Sequence, residues 1–220
     1  MIATINKQQL LCLKDELMKA ISIVNNQKQR ETPKFLSYLN VMKKNIETCI
    51  DCDYDYDGIE ELVRYLCEDW TMACKVDYGL GTWYVKDDNI DIKAAENRKF
   101  DQAILEIDKI LQTNHIMART WYDSKDLHNI GLSFNKCKND WDTRINDIIN
   151  KYGLLKSEIA VIPDDIWNYA KFLSIAPDNN SLINWFSKEI PAFGYLAPLE
   201  IVKLVNGENI LRSFMMDITI

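Results

Sequence analysis

The residues that come closest to a chemical site form one acidic stretch, DCDYDYDG, in the first half of the chain. Aspartates that alternate with other residues before a glycine are typical of the calcium-binding loop of an EF-hand. With Asp53 as the first position of such a loop, Asp55 and Asp57 fall in register, and so does the glycine. The twelfth position, however, is Arg64, where the loop requires a glutamate that binds calcium through both oxygens. The register therefore argues against a calcium site.

Two other interpretations of this acidic stretch remain open. As structure, Asp57 caps the helix that follows, because negative charge is favoured at the amino end of a helix. As function, alternating acidic and aromatic side chains imitate a phosphate-rich or acidic ligand and dock against arginines or lysines of a protein partner. The residues in this secondary binding site are Asp53, Tyr54, Asp55 and Tyr56.

Six cysteines and two histidines are the other residues with metal-binding or catalytic chemistry. Cys49 and Cys52 have the spacing of half a zinc site, but no second Cys-x-x-Cys and no histidine pair completes it. His115 and His128 each lack an acid or nucleophile that spacing alone places beside them. With no glycine-rich phosphate loop and no nucleophile motif, the sequence predicts neither an enzyme nor a metal or cofactor site. The cysteines are expected to be free thiols in a reducing compartment.

The balance of charge limits the kinds of partner. The chain has 26 lysines and arginines against 33 aspartates and glutamates, a net charge of -7. Affinity for nucleic acid comes largely from neutralising phosphates, so a broad DNA-binding surface is not expected. An acidic protein associates faster with a basic protein surface, because opposite charges attract at a distance. The expected partner is therefore a basic protein.

Composition and local sequence favour a mainly α protein. The 7 glycines and 5 prolines are few for 220 residues, which disfavours a turn-rich β sandwich. The first residues lack the basic and apolar regions of a signal peptide, and no segment approaches the roughly 18 apolar residues of a membrane span. We expect a cytoplasmic protein without membrane contact.

Apolar residues repeat at spacings of three and four in five segments, each of which we predict to be a helix. These predicted helices cover residues 6–24, 32–50, 58–76, 91–122 and 136–152, and the fourth is either continuous or broken near Asn114-His115. A short β segment is predicted at residues 82–85, between the third and fourth helices. Together they form a helical bundle, the first predicted domain, over residues 1–155.

Residues 156–220 form the second predicted domain, a small module of short helices. Its first and last helices cover residues 164–175 and 209–217. Between them, helix starts and ends are marked in order by Ser181, Pro191, Pro198 and the pair Asn206-Gly207. The residues predicted to face inward are Leu182, Trp185, Phe186, Leu199, Val202, Val205, Ile210, Leu211, Phe214 and Met215.

The run from Trp185 to Val202, WFSKEIPAFGYLAPLEIV, resembles the toxin-binding domain of the MbcA/ParS/Xre family of antitoxins. In that family a Trp-Leu helix end is followed by a run close to NPALGGRTPLELL, a glycine and a short last helix. The resemblance covers roughly residues 160–218. Its matching positions are Pro191, Ala192, Gly194, Pro198, Leu199, Glu200 and Gly207, whereas Ile190, Tyr195 and Ala197 depart from the pattern.

This resemblance implies an antitoxin or immunity protein that binds a cognate NAD-consuming toxin, one that degrades NAD or transfers ADP-ribose. It implies a steric mechanism, in which the protein covers the mouth of the toxin's nucleotide cleft. Anchors of such interfaces are aromatic and long apolar side chains within a polar rim. The contact set expected on this basis, some of it core, is Phe193, Tyr195, Leu196, Arg212, Phe214, Met215, Met216 and Asp217.

The front of the chain departs from the usual architecture of that family, which has a helix-turn-helix DNA-binding domain there. Residues 1–155 are long, acidic helices without a basic recognition helix. We therefore expect neutralisation of the toxin without strong DNA binding. The alternative is a DNA-binding transcriptional regulator of a toxin-antitoxin operon with a divergent N-terminal domain.

Overall fold

The fold is known from a computed structural model, which describes residues 5–27, 31–52, 56–75, 79–173 and 178–217, with the side chains of Tyr56 and Asp57 excepted. Within these ranges every regular element is helical and no strand is present, so the mainly α class is confirmed. The chain divides into two compact units, Met1–Arg119 and Thr120–Ile220.

The described residues of the first unit form four helices that pack as a bundle. They are α1 (Lys7–Asn25), α2 (Phe35–Asp51), α3 (Tyr56–Lys75) and α4 (Ile90–Leu111). Helix α1 packs against α2 and α4, and α2 packs against α3. The predicted apolar stripe of α1 is buried from Leu10 to Val24, and it meets large side chains such as Phe35, Leu39 and Trp70 in one core.

Two local predictions for this unit are wrong. Helix α2 begins at Phe35 rather than residue 32, and Lys34 at its amino end makes no side-chain capping bond. The segment predicted as a β strand, residues 82–85, is not a strand, since Thr82 lies in a turn and the next three residues belong to no regular element. The side chain of Asn97 on α4 forms the two hydrogen bonds to Val85 that a neighbouring strand would form. Its Oδ1 accepts from the Val85 nitrogen at 2.7 Å, and its Nδ2 donates to the Val85 oxygen at 2.9 Å.

Helix α4 ends at Leu111, so a continuous helix to residue 122 is wrong and the alternative, a break near Asn114-His115, comes close to the observed end. Gln112 and Asn114 adopt positive φ, which stops the helix. The carboxylate of Asp108 accepts bonds from the Thr113 hydroxyl and from the His115 nitrogen at 3.1 Å. The helix therefore ends because the buried Asp108 accepts hydrogen bonds from the residues that follow it. Apolar periodicity does not reveal such a bond.

The second unit contains α5 (Ser124–Tyr152), α6 (Asp164–Phe172), α7 (Asn179–Phe186), α8 (Pro198–Ile201) and α9 (Gly207–Asp217). Helix α5 starts earlier than predicted, because Asp123 and Asp126 form a reciprocal capping box. His128 consequently lies on a helix, not in a loop. Helix α7 is capped by Asp178, whose carboxylate accepts from the Ser181 nitrogen, so the prediction of Ser181 as the cap is wrong.

The compact units divide at a different place from the predicted boundary at residue 155. Helix α5 packs along α9 and against α6. The close approach occurs at Gly131, where an added Cβ would lie 2.7 Å from Nδ2 of Asn206 and 2.9 Å from Cγ1 of Ile210. Because α5 buries its apolar face against the C-terminal helices, it belongs to their unit.

This division predicts how fragments behave. Fragment 1–155 carries α5 without α6 and α9, so its face containing Leu127, Phe134 and Trp141 is exposed. We expect fragments 1–119 and 120–220 to melt cooperatively by circular dichroism, and fragment 1–155 to bind a hydrophobic dye strongly. Cooperative melting of 1–155 without dye binding, together with failure of 120–220 to fold, would contradict this division.

Candidate functional site

The segment that follows α7 forms a tight turn closed by its own backbone. Pro191–Phe193 make one turn of 3-10 helix. On its two sides, the Ile190 nitrogen donates to the Leu196 oxygen at 3.2 Å, and the Tyr195 nitrogen donates to the Ile190 oxygen at 3.0 Å. The turn is therefore held by its own backbone hydrogen bonds.

Two consecutive residues of this turn have positive φ, Gly194 at 66° and Tyr195 at 60°. At Gly194 a Cβ would lie 2.6 Å from Cδ2 of Tyr122, so no other residue fits. A tyrosine in this conformation is uncommon. Its ring is half-buried and stacks on Trp121, with centroids 4.6 Å apart and planes at 18°. This stacking offsets the backbone strain and fixes the direction of the ring.

The next two helices meet at a glycine. Pro198 opens α8, and the Glu200 carboxylate accepts from the Ala197 nitrogen at 2.8 Å. The helix ends at Ile201, earlier than predicted. Gly207 is the first residue of α9 and does not end α8. The two helices approach so closely there that a Cβ added at Gly207 would lie 2.1 Å from the Ile201 oxygen. The short α8 turns Val205 outward, where it is 88% exposed, so the prediction that Val205 faces inward is wrong.

Aromatic rings join the turn to α9. Phe193 stacks on Phe214, with centroids 4.9 Å apart, and Trp185 meets the edge of Phe193 at 6.1 Å. Tyr122 lies 5.2 Å from Phe214 on another side. Phe193 and Phe214 are both buried. They hold the turn and α9 in one core.

The structure divides the expected contact set into two groups. Phe193, Leu196, Phe214 and Met215 are buried, so in the folded protein they are core residues and not a surface. The other four retain solvent exposure: Tyr195, Arg212 and Met216 are half-buried and Asp217 is exposed. We call these four the accessible contact set. Helical periodicity identified the apolar side of α9 correctly but does not tell a core from an interface.

Arg212 has a structural role within the accessible contact set. Its Nε donates to Oδ2 of Asp165 at 2.8 Å and its Nη2 donates to Oδ1 at 3.1 Å, which is a bidentate pair. The indole nitrogen of Trp141 also donates to Oδ2 of Asp165, at 2.9 Å. Glu208 and Asn209 accept further bonds from the guanidinium. Arg212 thus ties α9 to α6 and, through Asp165, to α5.

The charge state of this pair follows from its partners. Burial alone would raise the pKa of Asp165, but the hydrogen bonds and positive charge of Arg212 outweigh it and lower the pKa below its usual value. Burial opposes the charge of Arg212, yet Asp165 and Glu208 raise the pKa of the guanidinium overall. The pair is therefore ionised throughout the physiological range.

The last residues of α9 reach the surface beside other aromatic side chains. The hydroxyl of Tyr169 lies 3.9 Å from the sulfur of Met216. Burial raises the pKa of Tyr122, and the negative charges of Asp217 and Asp126 raise it further.

The residues of the secondary binding site lie outside the part of the chain whose side chains are described. Asp53, Tyr54 and Asp55 lie outside the described residues, and of Tyr56 only the backbone is described, as the first residue of α3. The predicted capping by Asp57 falls outside the described side chains in the same way. Both interpretations of the acidic stretch remain predictions.

Three cysteines and one histidine have defined surroundings in the described chain. No group of three metal-binding side chains occurs among the residues that the structure describes. Burial raises the pKa of the thiols of Cys12, Cys67 and Cys74, the last to about 12, so these three cysteines are protonated at neutral pH. The ring of His115 pairs with the Thr71 hydroxyl at 3.1 Å.

Comparisons of the chain with models of protein families, with curated proteins and with solved structures found no match. Among the helices of the described ranges, none has the length and apolar character needed to cross a membrane.

The contact at Gly207 predicts a large effect of one methyl group. Gly207→Ala forces a Cβ into the backbone of α8 and should lower the free energy of unfolding of the second unit by about 3 kcal/mol. Gly81→Ala is the matched control, because no atom lies within 4 Å of its added Cβ. Denaturant unfolding of the two variants measures the difference. Equal stability of both would contradict the close approach of α8 and α9.

The Asp165 pair predicts a pH dependence. The pKa of Asp165 is lower in the folded chain than the unfolded value of about 3.9, so its stabilisation is complete above that value and is lost as pH falls through the folded pKa. Asp165→Asn should cost about 2 to 3 kcal/mol at neutral pH, less than for a fully buried pair. It should also flatten the loss of stability below about pH 4, where the carboxyl group of the unfolded chain becomes protonated.

Urea unfolding at several pH values tests this expectation. Lys109→Ala is a suitable control, because it removes an exposed ion pair with Glu106 and should change stability little at any pH. An Asp165→Asn variant with the acid sensitivity of the unaltered protein would show that the pair does not supply it.

Proposed function

We propose that this protein is an antitoxin or immunity protein, which binds an NAD-consuming toxin and blocks its active site by covering it. The main support for the proposal is that the prolines and glycines of the segment resembling the antitoxin domain each have a structural role. Pro191 opens the turn, Gly194 accepts a positive φ against Tyr122, and Pro198 opens α8. Gly207 lets α9 begin against α8. The positions that match the antitoxin pattern thus form one structural module.

The proposed contact surface consists of Tyr195, Met216 and Asp217, with Val205 added by its exposure. Tyrosine is enriched among residues that dominate binding energy, and the stacking on Trp121 fixes this ring before a partner arrives. A preorganised surface loses little entropy on binding. Arg212 supports this surface by holding α9, and the buried members of the expected contact set support it as core.

The mechanism needs no catalysis by this chain. A toxin that binds NAD carries a basic cleft for the pyrophosphate, and a protein with a net charge of -7 is attracted to it. Once bound, a rigid helical module at the mouth of the cleft excludes the nucleotide. Charge then governs the association rate, and the apolar and aromatic contacts govern the lifetime of the complex.

The decisive experiment is co-expression with the product of the neighbouring gene, followed by co-purification and an assay of NAD loss. We expect a stable complex in which NAD consumption is suppressed. Tyr195→Gly removes the ring while its backbone keeps an easily reached positive φ, and it should weaken the complex by about tenfold or more. Asp217→Lys should weaken it by slowing association.

Tyr152→Ala is the matched control, because this tyrosine is 56% exposed on α5 beside Phe172 and lies outside the proposed surface. It should leave binding and suppression unchanged. If the neighbouring protein does not bind this chain and does not consume NAD, the proposed function is wrong. If Tyr195→Gly and Tyr152→Ala have the same effect on binding, the proposed surface is wrong.

A further inference from the structure

The Cys-x-x-Cys pair of the sequence lies at a cavity in the first unit. Cys49 belongs to the last turn of α2, and Cys52 is the residue that ends this helix. Both line one open cavity between α2 and α3, with a volume of about 560 Å³. Cys49 is half-buried, whereas Cys52 is exposed. An accessible thiol with a second thiol beside it is the arrangement of a pair that exchanges with disulfides.

Cys52 is placed to form a bond back to Cys49. Side chains three residues apart on a helix have Cβ atoms about 5 to 6 Å apart, and a disulfide requires about 3.5 to 4.5 Å. A movement of about 1 Å is therefore needed. Cys52 can make this movement because its backbone, with φ -92° and ψ 25°, no longer has the helical conformation. A small rearrangement at the end of α2 is therefore enough to close the bond.

The other four cysteines are less suited to this chemistry. Burial raises the pKa of the Cys12, Cys67 and Cys74 thiols, which disfavours the reactive thiolate. Cys137 is half-buried, and its thiol donates to a backbone oxygen at 3.4 Å. It is also the only cysteine in the sequence of the second unit. Cys52 is thus the one exposed thiol of the chain, and its nearest thiol in sequence is one helical turn away.

We propose that Cys49 and Cys52 form a thiol–disulfide exchange site, which a small disulfide such as glutathione disulfide oxidises to an intramolecular disulfide. The Cys52 thiolate attacks one sulfur of the small disulfide, so a mixed disulfide forms and one small thiolate leaves and takes up a proton. The Cys49 thiolate then attacks the Cys52 sulfur, the mixed disulfide breaks, and a second small thiol leaves. The protein thiols have then lost two protons and two electrons, and the small disulfide has gained both.

The disulfide formed in this way is a reversible modification and not a structural bond. A disulfide that closes only after its residues move is more easily reduced than an unstrained one. In a reducing compartment the thiols are therefore the resting form, and the disulfide forms when the supply of small disulfides rises. The site lies in the first unit, so the proposal is independent of the toxin-binding surface in the second.

Oxidation of the full chain by glutathione disulfide tests the proposal. The reduced protein is incubated with oxidised and reduced glutathione, the remaining thiols are blocked with an alkylating reagent, and tryptic peptides are analysed by mass spectrometry. Residues 45–64 follow Lys44, end at Arg64 and contain no other lysine or arginine, so one peptide carries both thiols. We expect this peptide to lack both alkyl groups and two hydrogens, and we expect dithiothreitol to reverse the change.

Serine variants distinguish the two thiols. Cys49→Ser lacks the second thiol, so glutathione should stay on Cys52 as a mixed disulfide. Cys52→Ser should react about tenfold more slowly, because the remaining thiol is half-buried. Cys137→Ser is the matched control and should leave oxidation of the pair unchanged. Circular dichroism verifies that each variant is folded. The proposal is overturned if the unaltered chain keeps the mixed disulfide, if its peptide stays alkylated at both thiols, or if Cys52→Ser reacts as fast as the unaltered chain.

Discussion

One half-buried carboxylate holds the second unit together. Asp165 lies in the first turn of α6, yet it accepts from Trp141 on α5 and from Arg212 on α9, 47 residues further along the chain. A carboxylate removed from water is tolerated only when charge and hydrogen bonds replace its hydration. Helices α5, α6 and α9 therefore cannot separate without leaving a charged group partly buried and unsatisfied. This requirement places α5 in the C-terminal unit and gives Arg212 a structural task before any binding role.

The same constraint shapes the first unit. Asp108 accepts from the indole of Trp70 at 2.8 Å as well as from the residues that follow α4, so one acid joins α3 to α4 and ends the helix. Asp101 pairs with Arg119, which also donates to the Trp83 oxygen at 2.7 Å. In both units the packed helices are positioned by acids whose partners lie on other elements. The apolar stripes supply the driving force, and these acids select one arrangement among several.

The proposed contact residues of the second unit follow one physical logic. They are accessible side chains on a rigid helical unit of an acidic protein, which favours a partner with a basic surface. The stack of Phe193 on Phe214 belongs to the core, and Tyr195, held on Trp121, is left for contact. The residues that bind and the residues that hold them are thus different.

The sequence by itself determined the mainly α class, the core faces of α1 and α9, and the helix start at Pro198, whereas α7 ends at Phe186, before the predicted end at Pro191. These features follow from periodicity and from backbone preferences within a few residues. Only the tertiary structure decided where α4 ends, to which unit α5 belongs, and which members of the expected contact set are core. Each of those outcomes depends on a partner distant in sequence, as with Asp108 and the residues beyond α4, Gly131 and Ile210, or Asp165 and Arg212. Periodicity marks the apolar face of a helix, but the element that covers that face is chosen by packing and by the satisfaction of buried polar groups.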